Sequence, residues 1–226
     1  GPGEVRVRIA VSGVNPTDWK TRRGVAPGEK LAFDDVVPNQ DGSGVIDAVG
    51  PDAAGFAIGD RVWTALSAYQ LAAGGTAQEY AVLPAVRVYP LPDTASFELG
   101  ASLGVPAITA HRALTVAQDG PSRLSPGALD GMTVLVAGGA GAVGHAAIQL
   151  ARWAGATVIT TVSSPEKAAL AASAGAHHTV DYRATDAAAQ IRRLAPEGID
   201  LIVEVAPATN AELDLAVIRN RGTVAV

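Results

Sequence analysis

The chain has 226 residues, 48% of them hydrophobic and 17% charged, with a formal net charge of −5 and a pI near 5.3. That length and apolar content suffice for two modest packed domains, and the acidic balance argues against broad binding to nucleic acid or an anionic membrane surface. Cysteine is absent, which excludes disulfides, thiolate nucleophiles and cysteine-held zinc, and no apolar run approaches the roughly 20 residues that span a bilayer.

Gly1-Pro2-Gly3-Glu4 does not resemble a signal peptide, so the expected location is the cytoplasm. From Glu4 to about Pro92 the apolar residues come in short alternating clusters. Val5, Val7 and Ile9 alternate with Arg6, Arg8 and Ala10, and further strand-type clusters follow at Val45 to Val49, Arg61 to Thr64 and Glu79 to Leu83. Turn formers separate them at Asn15-Pro16, Ala26-Pro27-Gly28 and Gly74-Gly75. This half is expected to be antiparallel β, an irregular barrel or sandwich. Leu99 to Ala117 reads as helical around an interruption at Pro106, and Ser122 to Gly131 as a surface loop.

From Thr133 the pattern changes to strand, helix, strand. Thr133 to Ala137 is a buried-type strand, followed by helical spacing of Val143, Ala147, Leu150, Ala151 and Ala154. Thr157 to Val162 is the next strand, and Ser164-Pro165-Glu166 reads as the N-cap and first turn of another helix. His177 to Asp181, Ile199 to Val205 and Thr223 to Val226 supply three more strands. Such alternation predicts an α/β unit, a doubly wound parallel sheet. The expected division is residues 1–106 and 107–226.

The first of these strands runs directly into Gly138-Gly139-Ala140-Gly141-Ala142-Val143-Gly144. The spacing is a variant of the dinucleotide fingerprint: Gly138 for a tight turn, Gly141 for close approach of a pyrophosphate, Gly144 for helix packing, with the N–H groups of the helix start facing the phosphates. An NAD-selective site usually places Asp or Glu at the end of the second strand. Here the strand ends in Ser163 and Ser164, and Lys167 follows one turn later. A ribose 2′-phosphate can meet that hydroxyl and that cation, a preference of about 1–3 kcal/mol for NADPH. The same residues also serve as an ordinary N-cap and an exposed helix lysine.

In chain order, Val14-Asn15-Pro16-Thr17-Asp18, Asp41-Gly42-Ser43-Gly44-Val45-Ile46, Gly59-Asp60-Arg61-Val62, Gly74-Gly75-Thr76-Ala77-Gln78-Glu79-Tyr80, Gly104-Val105-Pro106-Ala107 and the glycine turn resemble the zinc-independent branch of the medium-chain dehydrogenase/reductase superfamily, the NADPH:quinone oxidoreductases related to zeta-crystallin. The resemblance implies a GroES-like β-barrel domain followed by a Rossmann domain, shortened at both ends. It implies 2′-phosphate contacts at Ser163, Lys167 and Tyr182. It also implies a polar pair, Asn15 and Asp18, near the nicotinamide, with Thr109 beside the carboxamide. The zinc positions of the alcohol dehydrogenase branch fall on Asn15, Gln40 and Val105, which are not a zinc set. Lys20 stands where many relatives carry tyrosine.

The expected activity is NADPH-dependent hydride transfer to a quinone or conjugated enone without metal, by a protein that is a homodimer when intact. Asn15, Thr17 and Thr109 would donate hydrogen bonds to the developing oxyanion. Enoyl or 2-alkenal reduction, and NADPH binding without catalysis, are the alternatives.

Overall fold

The computed structural model describes residues 1–24, 33, 35–184 and 186–226. The turn expected at Ala26-Pro27-Gly28 lies outside the described residues. Two compact units emerge, Gly1–Val105 and Pro106–Val226.

In the first unit, β1 (Glu4–Gly13), β2 (Asp41–Val49), β3 (Arg61–Thr64), β4 (Tyr80–Pro84) and β5 (Val88–Pro90) form one antiparallel sheet in the order β4-β1-β2-β3-β5. The alternation read from the sequence is the cause. Val5 and Val7 bury completely beside Ile46, Val62, Ala81 and Leu83, while Arg6 and Arg8, which alternate with them, stay exposed. Register irregularities between Arg6 and Val7 and between Ile9 and Val11 bend β1.

Asn15-Pro16-Thr17-Asp18 is not an isolated turn. It opens the helix α1 (Pro16–Arg23), with Asn15 at the N-cap and Pro16 at its first position. The Asp18 carboxylate accepts the Asn15 main-chain N–H at 2.7 Å, which satisfies a donor a helix start leaves orphaned. Lys20, Arg22 and Arg23 complement the negative end of the dipole. No residue of α1 is buried, so no apolar period marks it in the sequence.

The expected interruption at Pro106 is displaced. α2 (Phe97–Ala101) stops before Ser102-Leu103, and α3 (Gly104–Leu114) carries Pro106 in its first turn, where a missing N–H costs nothing.

The second unit alternates β6 (Thr133–Val136), α4 (Ala142–Trp153), β7 (Thr157–Val162), α5 (Pro165–Ser173), β8 (His178–Asp181), α6 (Ala187–Leu194), β9 (Ile199–Val203), α7 (Pro207–Val217) and β10 (Ile218–Ala225). The sheet is parallel, in the order β10-β9-β6-β7-β8. Numbered within the unit this is the 3-2-1-4-5 order of a Rossmann sheet, whose switch point lies between β6 and β9. Period two divides the strands between two cores: Val134, Val136, Val158 and Leu201 pack with Ala147, Ile148 and Ala151 of α4, whereas Leu135, Ile159 and Ile202 pack with Ile191 of α6 and Val217 of α7. Ile148 joins the predicted α4 face, and Val143 and Leu150 are only partly buried. Among the described residues no helix is long and apolar enough to cross a membrane.

Candidate functional site

The glycine turn leaves β6 at the switch point. Gly138 has φ +64, a left-handed conformation that a side chain disfavours. Its N–H donates to the Thr161 hydroxyl at 3.2 Å, and the Gly139 N–H donates to the Thr161 carbonyl. The turn is thereby tied to the next strand.

The close contact between helix and strand belongs to Gly139, which the sequence reading did not single out. A Cβ there would stand 2.2 Å from the Thr160 hydroxyl and 2.7 Å from Ile148 Cδ1. Gly144 packs against the turn itself, since its Cβ would lie 2.5 Å from the Gly138 carbonyl oxygen. At Gly141 a Cβ would meet only that oxygen, at 3.3 Å. Gly141 is the N-cap of α4 and has no side chain to bond the first turn, so the N–H groups there receive no side-chain acceptor from the cap.

A cavity of about 270 Å³ opens beside this turn, lined by Gly138, Ala140, Gly141, Thr161, Val162, Ser163, Lys167 and Tyr182. Five residues selected from the sequence therefore converge: Gly138, Gly141, Ser163, Lys167 and Tyr182. The Lys167 ammonium donates to the Ser163 hydroxyl at 2.9 Å. The Tyr182 main-chain N–H donates to the Val162 carbonyl, which fixes its place at the rim. Ser164 turns away from this group and caps α5, accepting the Lys167 N–H at 3.3 Å. Ala142 is the exposed first residue of α4, and Gly144 is buried packing.

A second cavity of about 390 Å³ lies at the ends of β9 and β10. Its lining is mostly apolar and includes Val143 and Val203, with three polar side chains, Thr109, Arg112 and Glu204. Thr109 and Val143 thus belong to this second space. Apolar walls with a few converging polar groups are the usual form of a small-molecule site.

In the first unit the structure unites Asn15 with a residue the sequence reading passed over, Asp41. Asp41 Oδ2 accepts the Asn15 amide at 2.6 Å, and Oδ1 accepts the Val105 main-chain N–H at 2.8 Å. Both Asn15 and Asp41 are buried. Burial raises the Asp41 carboxyl above its ordinary range, against the two hydrogen bonds that favour its charge. The signal available in the sequence was a carboxylate at the first position of a strand, directly before the small residues Gly42-Ser43-Gly44. Thr17 is exposed, and Asp18 is half-buried as the partner of the Asn15 backbone. Among the described residues no three His, Asp or Glu side chains gather as a metal cluster.

Residues 1–93 match the family model of the alcohol dehydrogenase GroES-like domain, and residues 142–226 match that of the zinc-binding dehydrogenases. Human quinone oxidoreductase is 34% identical over 224 residues, which cover 99% of this chain and 64% of the human protein. A solved NAD-dependent alcohol dehydrogenase is 33% identical with a TM-score of 0.85, over 99% of this chain and 69% of that one. A mycobacterial protein solved in complex with NADPH is 33% identical with a TM-score of 0.80, over 99% and 64%. The chain thus spans about 64% of the length of its quinone oxidoreductase relatives. By these matches and by the glycine turn at the switch point of its sheet, the chain belongs to the medium-chain dehydrogenase/reductase family.

Proposed function

We propose that the chain is part of an NADPH-dependent reductase that acts on a quinone or another electron-poor conjugated carbonyl without zinc. The observation that carries this reading is the joined Ser163–Lys167 pair, which with Tyr182 borders the cavity beside the glycine turn. β7 ends in serines where an NAD site usually has a carboxylate. The mycobacterial relative was solved with NADPH, and the human relative is named for quinone reduction.

The residues fit the cofactor. The α4 N-terminus, without a side-chain cap, offers its N–H groups to a diphosphate. Ser163 and Lys167 supply a hydroxyl and a cation for the ribose phosphate, and Tyr182 supplies an aromatic edge. Ala142, Val143 and Gly144 continue the turn, and Ser164 holds α5 so that Lys167 faces Ser163. Bound NADPH supplies the hydride. The protein contributes positioning and hydrogen-bond donors. Asn15, with one amide N–H committed to Asp41, has a second to offer a developing oxyanion, and the exposed Thr17 hydroxyl offers another. Asp18 fixes the Asn15 backbone, and Thr109, which lines the larger cavity, would stand beside the nicotinamide carboxamide. Zinc has no ligand set at the family's positions: Asn15 is bonded to Asp41, and Val105 cannot coordinate. The intact protein is a cytoplasmic homodimer whose partners are small molecules, not membranes or nucleic acid.

Calorimetry on the intact protein should show NADPH binding about ten- to a hundredfold more tightly than NADH. In Lys167→Ala that margin should largely vanish while NADH binding is retained. Equal affinities in the wild type would remove the phosphate assignment. Turnover of 1,4-benzoquinone in preference to a crotonyl thioester is expected; the reverse preference would favour enoyl reduction, and binding without any turnover a non-catalytic role.

A further inference from the structure

Val14, Pro16 and Thr17 are exposed, Val14 at 76%, yet Asn15 between them is only 7% exposed. Its side chain is drawn inward by Asp41, whose Oδ2 accepts an Asn15 amide N–H at 2.6 Å. A carboxylate offers no donor, so the amide must turn its nitrogen, not its oxygen, toward Asp41. The Asn15 main chain is held separately, its N–H donated to the Asp18 carboxylate at 2.7 Å. Backbone and amide each have their own acceptor, which gives the second amide N–H a set direction.

Asp41 is gripped on several sides, all within the first unit. Its Oδ1 accepts the Val105 N–H at 2.8 Å. A Cβ on Gly104 would collide with Oδ1, and one on Gly13 would stand 3.0 Å from the Asp41 Cβ, so the side chain occupies space these two glycines leave. The Asp41 carbonyl accepts the Thr76 hydroxyl, which accepts from the Ser12 hydroxyl at 2.8 Å. Ser12 accepts in turn from the Asn39 amide at 2.9 Å. A carboxylate only 1% exposed is costly to bury. A neutral amide oxygen would serve the Val105 N–H as well. What the carboxylate alone supplies is a fixed polarity toward Asn15.

We infer that Asp41 is a positioning residue for the reduction: by accepting one N–H of Asn15 it fixes the other as the donor to the carbonyl oxygen on which charge collects as hydride arrives. The identity of that ligand rests on the reductase reading above; the orientation of the amide does not. Asp41 acts only through Asn15. An asparagine at position 41 would reverse the arrangement, because its oxygen would go to the Val105 N–H and its NH2 would face Asn15. Asn15 must then turn over and present its own oxygen, or lose the bond. Either way the direction of its donor is lost.

The test has two arms on the intact protein. The first is the single-turnover rate of NADPH oxidation by 1,4-benzoquinone. Asp41→Asn and Asn15→Ala should each slow it about ten- to a hundredfold, with the NADPH dissociation constant within about twofold of wild type. The double variant should be no slower than Asn15→Ala alone. The exchanged pair, Asn15→Asp with Asp41→Asn, restores a hydrogen bond of opposite polarity, and it serves if Asp41→Asn does not fold. It should regain the thermal midpoint lost in Asn15→Asp alone while its rate stays low, which a merely structural role would not produce. Additive losses, or a rate restored by the exchange, overturn the inference. The second arm is nuclear magnetic resonance of the Asn15 side-chain amide without cofactor. One of its two protons should be shifted downfield and protected from exchange in wild type, and neither in Asp41→Asn. Identical amide signals in the two proteins overturn the inference whatever the rates. Absence of NADPH oxidation by wild type with any conjugated carbonyl overturns the reductase reading instead, and the amide signals then decide the orientation alone.

Discussion

Asp41→Ala should lower the unfolding free energy of the protein by about 2–4 kcal/mol, measured by urea denaturation near neutral pH. The side chain is 1% exposed and is the acceptor for two buried donors, the Asn15 amide and the Val105 N–H. Each donor left unmatched costs about 1–3 kcal/mol, offset in part because a buried carboxylate no longer has to be desolvated. Asp41→Asn should cost less, since its amide oxygen can keep one of the two bonds.

The pH dependence gives a separate check. Because the folded-state pKa of Asp41 is raised, the folded protein holds this proton more tightly than the unfolded chain does. The associated stability is therefore present in acid and is lost as pH rises through the folded value. Asp214, raised to about 6, has the same sign. Unfolding free energies of the wild type and Asp41→Asn should therefore draw closer as pH increases from about 4 to 7. A gap that widens would show that Asp41 is stabilised chiefly as the anion.

Gly144→Val should abolish measurable dinucleotide binding and cost about 2–4 kcal/mol in stability. The added Cβ would meet the Gly138 carbonyl oxygen at 2.5 Å and its carbon at 2.9 Å, main-chain atoms that cannot rotate away. Relief requires the turn to move off α4, which carries Gly141 and the free N–H groups with it. The expected readout is a loss of affinity beyond a hundredfold, about 2.7 kcal/mol or more, for NADPH and NADH alike. That uniform loss separates it from Lys167→Ala, which acts on the phosphorylated form alone. Near-normal binding in Gly144→Val would mean that the turn does not hold the ligand.

Much of the second unit was legible because its signals are local. Thr133 to Val136 and Thr157 to Val162 are apolar runs of strand length, and Ser164-Pro165 is a helix start readable from two residues. The Ser163–Lys167 pair spans four residues, one helical turn, so its convergence also followed from the letters. α1 was missed as a helix because PTDWKTRR buries nothing and shows no apolar period. Asp41 was missed because its partners stand 26 and 64 residues away, and its meaning depends on chain reversals that local pattern does not encode. Glu204 falls inside the strand expected from Ile199 to Val205; its contacts depend on α7 bringing Asn210 back onto it. Gly139 and Gly144 have equivalent letters, and only the packing of Thr160 and Ile148 assigns the interlayer contact to the former.

The helices α2, α5 and α6 each begin on a residue, Ser96, Ser164 or Asp186, whose own oxygen secures the first turn. α4 begins on Gly141, which brings no such oxygen. On the proposed reading, an anion bound there would do the work of the missing atom, as a removable end-piece from solution. The thermal midpoint of this half should consequently climb with nucleotide supply, by the equivalent of about 2.7 kcal/mol at a hundred times the dissociation constant.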